Sequence, residues 1–466
     1  MASFEIPESY SDALEVVEVG DTRTDEEILA SLNQYVPVAS EKNIWTFWHD
    51  GVLNMPAWCQ RNVADWVRIC GPEWTVRVLD NVPGSPNFAL RYLSPANLPD
   101  CFVDRTMDGP YVGQHSADFV RGAAILEHGG VWMDTGSIMV MHVDRMCWDR
   151  LADPSSPYEV AAMLRGDQWI FNCFLAARRG NPFLRRVNEL FLHLWKGRTN
   201  HRGVTHSPLF RYLARLFPAN NDNNDDDNNN NSEAQARPPA EAPQQQKPSG
   251  RLDFLDWKVS MQELLDYGAQ MVAWHRVALL EDPSDGFSGP DYWARHVLLL
   301  DFAPEMAMPT ALLGVAKSGG ARMLELLSMQ RRDVRRGTEE DEDQQQQQQQ
   351  EEEENDAAEH REAARVVWET LARSSFWKIS HAKGLTHRPQ LGTLLDAPEN
   401  AGRDRAPGTY MELLRHGTVH FRQTRPGPAL RDPPRPPFTL RTRLLEPEPA
   451  PEPEPETEAG LAVPAE

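Results

Sequence analysis

Two hydrophobic periods alternate along the first half of the chain, and each switch marks the edge of a secondary-structure element. Asn43 to Phe47, with Ile44, Trp45 and Phe47 in five residues, reads as the first core strand. Val63, Trp66, Val67 and Cys70 then recur at i, i+3, i+4 and i+7, the stripe of an amphipathic helix, and Gly71-Pro72 stops it. Trp74 to Leu79 sets Trp, Val and Val against Thr and Arg in strict alternation, as a strand does. Strand, helix and strand in this order predict a βαβ unit with a right-handed crossover.

The same grammar recurs downstream. Phe119, Val120, Ala123, Ala124 and Glu127 keep helical spacing, and Ser116 is placed to cap that helix at its N-terminus. Gly129-Gly130 ends it, since glycine takes the left-handed C-cap conformation at little cost. Val131-Trp132-Met133 reads as a buried strand, and Ser137 to Met141, Glu159 to Leu164 and Trp169 to Leu175 read as further strands. Pro182 to Trp195, Leu252 to Val277 and Ala363 to Trp377 are helical. Ahead of all of these, Asp25 to Leu32 forms one short helix in a weakly patterned extension.

Low-complexity segments divide this pattern. Residues 1–42 form the extension and 43–218 the first α/β part of a catalytic domain. Residues 219–250, rich in Asn, Asp, Pro and Gln, hold too few apolar side chains to offset the entropy of ordering and are expected to be disordered. Residues 251–337 are helical. The Gln/Glu tract 338–359 forms a second disordered insert, with helix as its only regular alternative, lacking a buried face. Residues 360–425 complete the domain, and the Pro/Glu-rich tail 426–466 is expected to be extended and disordered. No period of 20–50 residues repeats, which excludes solenoids and propellers.

Charge follows the same division. The net charge of -22 resides in residues 219–250, 338–359 and 446–466, which carry -4, -11 and -7, so the remainder is neutral. A nucleic-acid partner would need a basic patch, and none stands out. Five cysteines without CxxC spacing argue against a zinc site and a disulfide framework, and indicate a reducing, cytoplasmic setting. Neither a signal peptide nor a membrane segment is visible in the sequence.

Candidate chemistry concentrates between Ser116 and Ser137. Asp118 and Arg121 share a helical face at i, i+3, and Asp134 follows directly after a buried strand. In open α/β sheets ligands bind beyond the carboxyl ends of strands, so the three side chains converge on one cleft. Plainer roles exist for each: an Asx-turn for Asp134, a surface ion pair for Asp118 and Arg121, core packing for Trp45 and Phe47.

The ordered set Asp118-x-x-Arg121 and Gly129-Gly130-Val131-Trp132-Met133-Asp134 resembles the nucleotide-sugar signature of glycosyltransferases with the sugar-binding DXD motif. That group includes initiating mannosyltransferases and glucosylating bacterial toxins. With Asn43 to Gly51 (NIWTFWHDG) ahead of it, the set resembles the capsular polysaccharide synthesis proteins within the group. The likeness runs from Asn43 to Phe174, with a fainter stretch from Phe376 to Leu385.

The resemblance implies an α/β fold with a GT-A-type nucleotide-sugar-binding sheet and hexosyl transfer from a UDP- or GDP-linked donor to a glycan or other hydroxyl acceptor, in polysaccharide synthesis. It implies Asp134 on a divalent cation, Mn or Mg, and Asp118 and Arg121 on donor ribose and sugar hydroxyls. Trp48 falls beside the nucleotide base, Asn172 on the acceptor side, and Lys378 and Lys383 near the diphosphate. One departure stands out: Gly136 occupies the position of the motif's second acid, and His381 is the candidate to supply the missing ligand. A weakened metal site leaves a nucleotide-sugar- or glycan-binding protein as the second reading. An aspartic protease, suggested by Asp134-Thr135-Gly136, needs a second carboxylate of the same kind, and the sequence has no second Asp-Thr-Gly or Asp-Ser-Gly.

Overall fold

A computed structural model of the chain describes residues 4–166, 169–217, 255–314, 319–331, 346–382 and 384–449. Its centre is a six-stranded mixed sheet. The strands are β2 (Asn43–Phe47), β3 (Thr75–Leu79), β4 (Gly130–Met133), β6 (Val160–Arg165), β7 (Trp169–Ala177) and β10 (Val297–Asp301), in the order β10-β6-β7-β4-β2-β3. β2 runs parallel to both β3 and β4, while β7 runs antiparallel to β4 and β6. The helix between β2 and β3, Ala57–Cys70, completes the expected βαβ unit.

Strand alternation divides the core into two layers. Ile44, Val76, Val78, Val131 and Met133 face one cluster, which helices Ala57–Cys70, Gln346–Arg373 and Tyr410–His420 cover. Trp45, Phe47, Leu79 and Trp132 face the other, under helices Val112–His128, Pro182–Trp195 and Ala269–Leu279. Helices on both faces of a largely parallel half-sheet make a mixed α/β architecture. Trp45 and Phe47 are core residues: Trp45 is fully buried and donates its Nε1 to the Gly129 carbonyl at 2.9 Å.

Short sheets tie the rest of the chain to this centre. β1 (Leu14–Val16) pairs antiparallel with β12 (Phe421–Gln423), and β5 (Ser137–Met139) pairs antiparallel with β11 (Phe376–Lys378). β8 (Leu280–Asp282) lies between β9 (Phe287–Ser288) and β13 (Leu440–Arg441). Among the described residues no helix is long and apolar enough to cross a membrane.

Several boundaries differ from the sequence reading. Ser116 is not an N-cap but a fully buried residue inside Val112–His128, because His115, 2% exposed, packs the preceding turn into an aromatic cluster with Tyr111 and His201. The helix expected to reach Trp377 stops at Arg373, where Ser374 Oγ bonds to Pro304 O at 2.8 Å and Ser375 Oγ to Glu305 Oε2 at 2.6 Å; the chain then enters β11. Insert 219–250 and residues 338–345 lie outside the described residues. Residues 346–359, expected within a disordered insert, form the start of helix Gln346–Arg373, with no buried residue from 354 to 362.

The tail is ordered well past Pro426. The Ala429 N–H donates to the buried Glu305 carboxylate at 2.6 Å, Leu440 is fully buried, and Arg276 bonds to the Glu446 carbonyl at 2.6 Å. A buried guanidinium needs such acceptors, and a Pro-rich segment with little side-chain pattern supplies them from its backbone.

Candidate functional site

Three elements bring the polar groups together. Gly130 has φ +105°, and a Cβ there would lie 2.4 Å from the Asn43 carbonyl oxygen, so only glycine lets β4 begin flush against β2. β4 then delivers Asp134 past its end, where the Asp134 N–H bonds to the Cys173 carbonyl at 3.0 Å. Trp132 and Asp134 are two residues apart and share the sheet face that carries helix Val112–His128. That helix contributes Asp118 and Arg121, one turn apart.

Arg121 is the hub. One guanidinium nitrogen donates to Asp118 and to the Gln270 side-chain oxygen. The other donates to Asp134 Oδ1 at 3.1 Å, and the guanidinium lies 5.0 Å from the centre of the Trp132 ring. Trp132 Nε1 also donates to Asp134 Oδ1, at 2.9 Å. The Lys378 ammonium reaches Asp134 Oδ2 at 3.2 Å. Asn172 Nδ2 donates to Asp118 Oδ1 and Gln270 Oε1, both at 3.0 Å, and His115 Nδ1 lies 3.4 Å from Asp118 Oδ2.

Charge here alternates acid, guanidinium, acid, ammonium. Burial opposes ionisation of Asp134, yet the Lys378 and Arg121 charges outweigh it and hold the carboxyl below its ordinary 3.8. Burial likewise works against the Arg121 charge, and Asp118 and Asp134 more than offset it, so its pKa is raised. The neighbouring Cys173 thiol is pushed up to about 12 by burial and serves as packing.

The cluster opens onto a cleft of about 630 Å³. Asp118, Arg121, Asp134, Asn172, Trp48, Lys378 and His381 all line it. Asn172 is committed to Asp118 and Gln270. His381 meets Asp396 Oδ2 at 3.0 Å and packs near Trp58. Lys383 lies outside the described residues. Gln270 was missed by the sequence reading, because nothing in its helix marks it among other polar positions. His115 was findable, standing one helical turn before Asp118.

These side chains do not fit a divalent ion held by the protein. Such an ion takes about six oxygen ligands. Asp134 supplies one carboxylate, whose two oxygens already face a guanidinium, an indole N–H and an ammonium. Among the described residues no three His, Cys, Asp or Glu side chains come close enough to share an ion. Position 136 has no room for an acid: a Cβ on Gly136 would lie 2.5 Å from the Ile379 carbonyl oxygen and 3.1 Å from Lys378 Nζ.

Comparison with known proteins identifies the family. Residues 21–232 match the profile described as "Capsular polysaccharide synthesis protein". The chain is 42% identical over 423 residues to a probable glycosyltransferase, FCK3, of Fusarium pseudograminearum (strain CS3096), covering 91% of this chain and 94% of that one. It is 37% identical to the O-glycosyltransferase braB of Annulohypoxylon truncatum, covering 87% of this chain and 86% of the other. The O-glycosyltransferase PaGT of Phomopsis amygdali is 36% identical, with 87% and 88% covered. A solved structure, the PaToxG glycosyltransferase, aligns over 37% of this chain and 67% of its own at 15% identity; its TM-score of 0.23 adds nothing to the fold assignment. The chain belongs to the glycosyltransferase family of the capsular polysaccharide synthesis proteins.

Proposed function

We propose that the cleft moves a sugar, a hexose on the resemblance set out above, from a UDP- or GDP-linked donor to an acceptor hydroxyl, on a sheet of the GT-A type. The observation that carries this reading is the Asp118–Arg121–Asp134 cluster at the end of β4, beside β2 and β3, which run parallel to one another. Ligands of such sheets bind beyond the strand ends. Asp118 can accept from vicinal sugar hydroxyls, Arg121 fixes both carboxylates, and Trp48 offers an aromatic face to a base. In transfer, the bond from the anomeric carbon to the diphosphate oxygen breaks, and its electron pair leaves with the nucleoside diphosphate. The acceptor oxygen bonds to that carbon, and its proton passes to the diphosphate or to solvent.

The acceptor side favours an apolar body. Phe171, Phe302, Met306, Met323 and Leu391 line the cleft beyond the charged cluster's own residues. Thioether and aliphatic groups offer nothing to sugar hydroxyls, whereas they pack well on hydrocarbon. We therefore read the acceptor as a hydroxyl on a largely apolar small molecule, in preference to a glycan. Two relatives named O-glycosyltransferases support oxygen as the attacking atom. Five buried cysteines, none in a disulfide, support a cytoplasmic location.

The test is nucleoside diphosphate release by the full chain across UDP- and GDP-hexoses, with apolar alcohols and oligosaccharides as rival acceptors. Glycosylated apolar alcohol, identified by mass spectrometry, is the expected product. Tight donor binding without release for any donor would favour a binding protein. Absence of binding would end the proposal.

A further inference from the structure

Gly136 and Lys378 are two sides of one packing event. β11 pairs with β5, aligning Lys378 with Ser137, and the Ile379 N–H bonds to the Gly136 carbonyl at 2.8 Å. This crossing is possible only because position 136 lacks a side chain, since a Cβ would meet the Ile379 backbone oxygen at 2.5 Å. The acid absent from position 136 and the ammonium present at Asp134 therefore share a cause. Where the resemblance leads one to expect a cation bridging an acid pair, the chain places a fixed cation of its own.

We infer that Lys378, held by Asp134, supplies the positive charge at the donor diphosphate that a divalent ion supplies in metal-using sugar transfer, so that this chain transfers sugar without a metal. The inference rests on the function proposed above. An ammonium has three N–H donors. The contact with Asp134 at 3.2 Å accounts for one and leaves two for a ligand in the cleft that Lys378 lines. As the anomeric C–O bond breaks, negative charge grows on the diphosphate, and a preplaced cation stabilises it without reorganising. Asp134 thus acts as a positioning residue for Lys378 instead of a metal ligand. The proton balance is unchanged, because the lysine stays protonated and only donates hydrogen bonds.

The experiment uses the full chain with UDP-glucose and GDP-mannose, after EDTA treatment and with added Mn²⁺. Turnover in EDTA within about twofold of that with Mn²⁺ is expected, because Lys378 and not an ion carries the charge. Lys378→Met should lower kcat on the order of 100-fold with a small change in donor KM, and Lys378→Arg should recover part of the loss. Calorimetry gives a readout independent of turnover: UDP should bind equally with and without Mn²⁺, and Mn²⁺ alone should give no heat. Abolition of turnover by EDTA with restoration by Mn²⁺, or UDP binding that requires Mn²⁺, overturns the inference while leaving the transferase reading intact. Wild-type kcat in a folded Lys378→Met variant overturns it as well. Absence of both UDP binding and turnover under all conditions ends both.

Discussion

Trp132 donates its indole N–H to Asp134 Oδ1 at 2.9 Å from two positions earlier on the same strand edge, so the carboxylate's bearing is set before any distant residue reaches it. The same ring underlies the Arg121 guanidinium at 5.0 Å. Trp132→Phe should keep the stacking surface and lose the hydrogen bond. Hydrogen bonds to charged groups contribute about 1.5–3 kcal/mol, so kcat/KM should fall roughly tenfold or more. Asp134→Asn, which abolishes the charge, should cost far more, on the order of 100-fold or beyond. Equal losses in the two variants, measured by steady-state kinetics, would contradict this ordering.

Gln270 joins Arg121, Asn172 and the Asp118 carbonyl, the last at 2.6 Å, without being charged itself. It is a positioning residue. Gln270→Ala should raise the donor KM about tenfold, because Arg121 loses one of three acceptors, while kcat changes less. A melting temperature close to wild type must accompany this. A fall in kcat alone, with KM fixed, would assign Gln270 to the chemical step.

Gly136→Ala tests the close approach of β5 and β11. The added methyl group meets a backbone oxygen that cannot rotate away. Overpacking of this kind costs about 1–3 kcal/mol, and the strand bearing Lys378 must shift. Denaturant unfolding should show the lost stability, and activity should fall with it. A variant as stable and active as the parent would mean that the two segments move apart freely.

Two histidines, the buried His201 and the half-buried His416, make stability acid-sensitive. Burial, then the charge of His115, pushes His201 down to about 4, and burial, then His420, does the same to His416. Unfolding returns both to their ordinary 6.5, so the unfolded chain binds more protons between these values. Their contribution is therefore intact above pH 6.5, declines as pH falls, and is lost by about pH 4. His201→Asn should flatten the stability profile in this window, as read by denaturant midpoints at successive pH values. An unchanged slope would show that His201 keeps its ordinary pKa in the fold.

The C-terminal segment supports the fold as far as Glu448, which pairs with Arg215. Removal from 438 onward strips Leu440 and Leu444 from the core and takes the Leu444 and Glu446 carbonyls from Arg276. Two buried leucines alone account for about 3–6 kcal/mol, so this truncation should fold poorly. An unfolding curve matching that of the full chain would disprove the role of β13.

Much of the local geometry around the cluster was readable in advance because it is set by near neighbours in the chain. The strands at Asn43 and Val131, the helix through Asp118 and Arg121, and the double glycine all follow from periods and stop signals within a few residues. The tail illustrates the opposite case. Its anchoring uses backbone carbonyls and two leucines among many prolines, which leaves almost no periodic trace, so composition alone pointed to disorder.

By itself, the order of residues determined the βαβ units, the carboxylate at a strand end and the i, i+3 partners on one helix face, since backbone geometry makes each a short-range consequence. Only tertiary structure decided who completes the cluster. Gln270 stands 149 positions from Arg121, and Lys378 arrives from a strand across the C-terminal half. Such partners leave no spacing in the sequence, because chain folding and not helical or strand period brings them within hydrogen-bonding distance. The same is true of Gly136: sequence recorded a missing acid, while packing against Ile379 showed why that position has to be glycine.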